Sequence, residues 1–185
     1  MGPQQVTENQ RSQAKAINFG IIYGMGPQRL SRETGVTMKE AKEFIAKYFE
    51  TYPKIQTFIE DNIQFAKDHQ YAKTLGGRKR PIPDIATSNR MAAASAENIA
   101  VNTPVQGSAA DLIKLAMINT KTKLAEKGLN ARLLLQVHDE LVLECPKDQL
   151  DEVQKIVKES MESAMKLKIP INVKIGYGEN WLEAH

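Results

Sequence analysis

One cysteine, Cys145, stands among 185 residues. No internal disulfide and no cysteine-based zinc site can form, and a reducing, cytoplasmic setting is the expected home. Long apolar runs are also missing: none approaches the roughly 18 residues a membrane span needs, so no membrane partner is expected. The opening Met1-Gly2-Pro3-Gln4-Gln5-Val6 has no basic stretch leading into an apolar one and no Ser or Thr at position six. Neither secretion nor myristoylation is expected. No period of about 20–50 residues recurs, which argues against a solenoid. With 42% hydrophobic and 25% charged residues, 11 Gly and 8 Pro, the composition is that of a soluble globular protein and argues against disorder.

Charge and aromatic residues are unevenly spread. Residues 1–90 carry 14 Lys and Arg against 9 Asp and Glu, whereas residues 91–185 carry 11 against 13. Nine of the 11 aromatic residues fall in the first half. A basic, aromatic-rich half suits contact with phosphates and bases; an acidic half suits a metal or a solvated surface.

The element order follows from caps and periodicity. Thr7-Glu8-Asn9-Gln10 is a capping-box pattern opening a helix that runs through Arg11 to about Tyr23 and stops at Gly24. A helical turn is expected over Gln28–Thr34. A second capping box at Thr37 and Glu40 precedes Ala41, Phe44, Ile45, Tyr48 and Phe49 at helical spacing, and Pro53 can open another helix carrying Ile55, Phe58, Ile59 and Ile63. Tyr71–Leu75 and Arg78–Ile82 flank Gly76-Gly77 as a β-hairpin, closed by Pro81 and Pro83. An alanine-rich helix over Asn89–Val101 is expected to break at Thr103-Pro104, and a longer one to run to Gly128. Ala131–Val137 and Leu141–Cys145 read as strands joined by His138-Asp139-Glu140. A helix through Leu150, Val153, Val157 and Ala164 leads to a last strand, Ile171–Ile175. Helices first, then strands mixed with helices, predict a mostly α-helical α+β fold with an antiparallel sheet.

Two segments carry chemistry. Arg11, Lys15, Phe19 and Tyr23 recur at steps of four, each step turning about 40° around a helix, so all lie within roughly 120° of one face and span about 18 Å. Two cations near the N-terminus, followed by two aromatics, match the polarity of a nucleoside triphosphate. The competing reading is a surface helix whose aromatics are core and whose cations are solvated. The second segment is the imidazole–carboxylate–carboxylate link between two apolar strands. Adjacent carboxylates at a tight turn repel unless a cation sits there, and their hard oxygens suit Mg²⁺. The competing reading is a turn kept soluble by its charge.

Together these segments resemble the family A DNA polymerases. Arg11-x-x-x-Lys15-x-x-x-Phe19-Gly20-x-x-Tyr23-Gly24 is similar to that family's fingers-helix motif, and Gln136-Val137-His138-Asp139-Glu140 to its palm motif. Thr103-Pro104-Val105-Gln106-Gly107-Ser108-Ala109-Ala110-Asp111 and Gly176-x-Gly178-x-x-Trp181 resemble two further family segments. The resemblance runs in order from about Val6 to Trp181. It implies that Arg11 and Lys15 hold the triphosphate of a deoxynucleotide, that Phe19 packs against sugar and base, and that Tyr23 lies near the nascent pair. It further implies that Asp139, with Glu140 as a weaker contributor, ligates the Mg²⁺ ions of a two-metal phosphoryl transfer, with Lys15 beside them in the catalytic set. His138, Gln106 and Asn102 are then the contacts to primer–template DNA.

The chain departs from the family pattern in two places. After Ala96-Glu97 the family usually places an arginine that meets the DNA backbone; here Asn98 stands there, and one phosphate contact is expected to be lost. Only ten residues precede Arg11, and none matches the Asp-Tyr-Ser-x-Ile-Glu-like strand that supplies a second aspartate. Asp61, Asp84 and Asp111 lack that signature. The expectation is therefore a fragment: fingers helices with a small hairpin over 1–87, and long helices with the C-terminal palm strands over 88–185. Alone it should synthesise little DNA and could associate with itself through an incomplete sheet. The alternative is a non-catalytic module that binds nucleotide or DNA without turnover.

Overall fold

Capping decides where the first helices begin. In the computed structural model, which describes residues 6–184, Thr7 Oγ1 accepts the Gln10 N–H at 3.2 Å and Gln10 Oε1 accepts the Thr7 N–H at 3.0 Å. Helix α1 (Glu8–Ile22) starts from this reciprocal cap and ends where Gly24 takes φ +86°. A proline opens α2 (Pro27–Thr34), where its missing N–H has no helical partner to lose. Thr37 and Glu40 repeat the reciprocal cap ahead of α3 (Met38–Thr51), and Pro53 opens α4 (Pro53–His69). The donated bonds from Thr37 hold the Glu40 carboxyl below its ordinary range.

Strands β1 (Tyr71–Lys73) and β2 (Lys79–Pro81) pair antiparallel and are shorter than the expected Tyr71–Leu75 and Arg78–Ile82. The ladder stops because Thr74, buried, turns the chain: its Oγ1 accepts the Arg78 N–H at 3.0 Å and its carbonyl accepts the Gly77 N–H. A 3₁₀ turn (Pro83–Ala86) leads to α5 (Arg90–Asn102), capped by Asn89. The expected break at Thr103-Pro104 is instead a widened π-helical turn, Thr103–Gly107, that runs on into α6 (Ser108–Glu126). Pro104 has no N–H to give, and the wider turn lets the chain pass it without stopping.

The chain divides into two compact units, residues 1–105 and 106–185. In the first, Met25, Leu30 and Ala41 pack with Ile17 and Ile45 beneath α1–α3. A second cluster joins Ala66, Ala72, Ile82, Ile85, Ala96 and Ala100. The alanines of α5 thus pack against α4 and the small hairpin.

In the second unit, α6 packs against α7 (Leu150–Glu162) through Ile113, Ala116, Leu124, Val153, Ile156, Val157 and Met161. Burying each of the larger side chains contributes about 1.5–3 kcal/mol. Strands β3 (Arg132–Val137) and β4 (Glu140–Glu144) lie on this layer through Leu141 and Leu143. The register slips at Leu134, a bulge between the Leu133↔Leu143 and Leu135↔Val142 pairs. Consequently Leu134 and Leu135 are both about half exposed, at 48% and 49%, instead of alternating. A short helix, α8 (Trp181–Ala184), lies near the C-terminus.

The expected strand over Ile171–Ile175 is corrected. Among the described residues this segment joins no ladder, and the second sheet consists of β3 and β4. Val173 still packs on the α6–α7 layer, but its N–H donates to Glu162 Oε1 at 3.1 Å. Ile171, Val173 and Ile175 line a cavity of about 1840 Å³ together with Leu141, Leu143 and Val157 among others. An α+β fold, mostly helical with two small antiparallel sheets, matches the expectation.

Candidate functional site

Helix α1 divides cleanly into two faces. Ile17 and Ile21 turn inward, Ile21 being 2% exposed. Arg11 and Lys15 are exposed, Phe19 is 55% exposed, and Tyr23 is half-buried. The Phe19 and Tyr23 rings stack, their centroids 6.2 Å apart and their planes 17° from parallel. Phe19 is therefore no core residue, which removes the competing reading for that side chain. An aromatic left half in water on a helix whose inner face is held by Ile17 and Ile21 leaves apolar area available to a flat ligand.

Two glycines shape this helix. A Cβ at Gly20 would run into the Met25 side chain, so glycine is what lets that thioether cross the inner face. At Gly24 a Cβ would collide with the Asn98 carboxamide, and the backbone there is left-handed. The end of α1, just after Tyr23, is thus set against α5 at the residue that departs from the family pattern. Sequence reading treated Asn98 only as a lost phosphate contact; the glycine after Tyr23 was the signal that something packs there.

The β3–β4 connection is tighter than the sequence predicts. Val137 pairs with Glu140, so the turn is only His138-Asp139, and Glu140 is the first residue of β4. His138 takes φ +52°, a left-handed conformation costing a non-glycine residue about 1 kcal/mol. Gln136 Nε2 donates to the His138 carbonyl at 2.6 Å and braces the turn. Asp139 is exposed at its tip, whereas Glu140 is half-buried and has a partner within the chain. At the open end of the hairpin Arg132 and Glu144 pair at 2.7 Å, which raises the Arg132 pKa. Cys145 follows, its thiol pushed up by burial and by Asp148, so it is not an activated nucleophile.

Among the described residues no three His, Cys, Asp or Glu side chains gather as a cage. The exposed Asp139 carboxylate, with Glu140 next to it at the start of β4, offers the hard oxygens that suit Mg²⁺, which takes one or two protein carboxylates and completes its shell with water and substrate phosphates.

Asn102 ends α5 with its Oδ1 buried and without a hydrogen-bond partner among the described residues. Gln106 is exposed within the π-helical turn. Such turns have no period of their own, so the setting of Gln106 was not readable from hydrophobic spacing. No helix among the described residues is long and apolar enough to cross a membrane.

Comparison with known proteins agrees with the motifs. Residues 1–183 match the family described as DNA polymerase family A. The chain is 49% identical to DNA polymerase I of Caldicellulosiruptor bescii over 178 residues, 96% of this chain and 21% of that protein. It is 47% identical to the thermostable DNA polymerase I of Thermus filiformis, covering 100% of this chain and 22% of the relative. Among solved structures it superposes with a TM-score of 0.94 and 37% identity on the POL domain of Pol1 from M. smegmatis, in complex with DNA primer-template and dNTP. That match covers 98% of this chain and 32% of the other. The chain spans about a fifth of the length of these curated relatives.

Proposed function

Because the chain belongs to DNA polymerase family A, we propose that it carries two working parts of a DNA-dependent DNA polymerase: the nucleotide-binding helix α1 and the carboxylate-bearing β3–β4 turn. The whole polymerase would extend a primer 3′ end with deoxynucleoside triphosphates in DNA replication and repair. Residues 1–87 would serve as fingers and 88–185 as the C-terminal part of the palm.

Each residue has a role in this reading. Arg11 and Lys15 bind the triphosphate through charge-assisted hydrogen bonds. Phe19 packs its open ring against sugar and base, and Tyr23, stacked on it, bounds the nascent pair. Asp139, with Glu140 weaker and constrained by its strand, would hold Mg²⁺, which when bound activates the primer 3′-hydroxyl and neutralises the leaving pyrophosphate. His138 and Gln106 meet the primer terminus and the minor groove, whose shared acceptors report pairing geometry rather than sequence. Asn102 lies beside them on DNA.

One observation carries the proposal: Phe19 is left 55% exposed and stacked on Tyr23 along the line of Arg11 and Lys15, while Ile21 is buried and Ile17 is partly buried against the core. Titration of a deoxynucleoside triphosphate into the chain tests it, with binding expected for the native chain and weakened for Lys15→Ala.

For the 185-residue chain by itself the proposal is binding without turnover. Its support is that Asp139 is the exposed carboxylate of the turn, whereas Glu140 is half-buried and has a partner within the chain. A primer-extension assay should show little or no product, and robust extension would contradict it. We also propose self-association through the second sheet, supported by the unladdered Ile171–Ile175 segment beside the large cavity. Sedimentation should then show a concentration-dependent dimer.

A further inference from the structure

We propose that Asn98 is a positioning residue for the nucleotide: its carboxamide fixes the end of α1, and with it the Tyr23 ring that bounds the base. The inference deepens the nucleotide reading of α1 and rests on that reading for its choice of ligand.

Helix α1 ends on a left-handed glycine cap. The Met25 N–H donates to the Gly20 carbonyl at 2.7 Å and the Gly24 N–H to the Ile21 carbonyl at 3.1 Å, with Gly24 between them at φ +86°. Tyr23 is the last residue before this reversal, its N–H donating to the Phe19 carbonyl at 2.9 Å. Two side chains grip the cap. Met25, 7% exposed, lays its thioether over Gly20, where a Cβ would stand 2.9 Å from Sδ. Asn98 fills the space beside Gly24: a Cβ there would collide with Oδ1 and lie 3.1 Å from Cγ and 3.6 Å from Nδ2. The three atoms nearest to that position all belong to this one carboxamide.

Asn98 is itself held from behind. Ala96 and Ala100 flank it, 2% and 0% exposed, and lock this stretch of α5 into the cluster with α4 and the small hairpin. Its neighbour Glu97 pairs with Lys67 of α4 at 2.8 Å. Ile17 and Met25 belong instead to the cluster beneath α1–α3. The Asn98–Gly24 contact therefore ties the tail of α1 to a cluster in which α1 has no member. The carboxamide makes no hydrogen bond among the described residues, so what it supplies is shape. A side chain seated on a packed helix places a neighbouring group more tightly than a loop would. Held in this way, Tyr23 keeps its ring stacked on Phe19, a surface that a base meets without a further ordering cost. Arg11 and Lys15 lie about 18 and 12 Å farther back along the helix, so loosening the tail should spare the triphosphate end.

The test reads the ring and the two halves of the ligand separately, in the full 185-residue chain. Without ligand, Asn98→Ala should shift the NMR resonances of the Tyr23 ring and weaken its cross-relaxation with Phe19, while the Leu30 and Ala66 amides stay in place and show that the fold is kept. Asn98→Asp, which keeps the branched shape but cannot donate to a phosphate, should restore the native ring signals. Calorimetric titrations then compare a deoxynucleoside triphosphate with inorganic tripolyphosphate. Asn98→Ala should weaken deoxynucleotide binding about fivefold, the lower end of what a base stacked on an aromatic ring contributes, and leave tripolyphosphate binding unchanged. Asn98→Asp should bind the deoxynucleotide like the native chain. An unmoved Tyr23 ring in Asn98→Ala, or equal weakening of both ligands, would overturn the positioning role. So would loss of deoxynucleotide binding in Asn98→Asp, which would make the carboxamide a direct contact. A native chain that bound neither ligand would overturn the nucleotide reading instead, a failure told apart by ring signals that still respond to Asn98→Ala.

Discussion

Helix α1 and the β3–β4 turn present their functional side chains by opposite means. On α1 the backbone is regular, and one period sorts Ile17 and Ile21 inward and Arg11, Lys15 and Phe19 outward. At the turn the backbone is irregular: a bulge at Leu134, a left-handed His138 and a brace from Gln136 together put Asp139 at an exposed tip. A binding face can be built by periodicity alone. A carboxylate that must stand clear of its strand needs local strain, held by the hairpin around it.

The sharpest way to break this contrast is at the tip. In a full-length polymerase carrying this segment, Asp139→Ala should lower primer extension by roughly three decades or more, with DNA binding, measured by anisotropy, little changed. Activity retained near the native level would remove the metal role. The two units should next separate in stability. Leu30→Ala in the first and Ile113→Ala in the second should each cost about 2–5 kcal/mol. Hydrogen exchange should show each loss in the unit that contains the substitution.

A smaller effect is expected on the helix. Lys15→Ala should weaken triphosphate binding roughly 10- to 100-fold, since a hydrogen bond to a charged group contributes about 1.5–3 kcal/mol. Binding of a nucleoside without phosphates should be unaffected. Smallest is the cap of α3: Thr37→Ala should cost about 1 kcal/mol in thermal unfolding at neutral pH. Because Glu40 is held below its ordinary pKa, its contribution is present above the ordinary carboxylate range and lost as pH falls through the lowered value. The difference between the native chain and Thr37→Ala should therefore narrow in acid, leaving the bond from the Glu40 N–H to Thr37 Oγ1.

What the sequence made legible follows the same division. Both reciprocal caps, the α1 stripe and the helix starts at Pro53 and Asn89 were readable, because each depends on residues within a turn or two of one another. Phe19's exposure was not, since spacing alone could not say whether the aromatics or Ile17 and Ile21 faced the core. The bulge at Leu134, the two-residue turn and the π-helical passage at Pro104 were missed because they follow from pairing partners distant in sequence or from a proline's missing donor. Ile171–Ile175 reads as a strand, yet a strand also needs a neighbour, and Glu162 accepts the Val173 amide instead. The DNA-contact candidates Asn102 and Gln106 came from family resemblance alone.

The central claim is that the outward face of α1 meets a nucleotide. Its most direct test is an NMR titration of the isotope-labelled chain with a deoxynucleoside triphosphate and Mg²⁺, following amide shifts residue by residue. The account predicts the largest shifts at Lys15, Phe19 and Tyr23, with Ile113 and Val157 in the α6–α7 layer unmoved. Shifts that bypass α1, or a spectrum unchanged at saturating nucleotide, would contradict it.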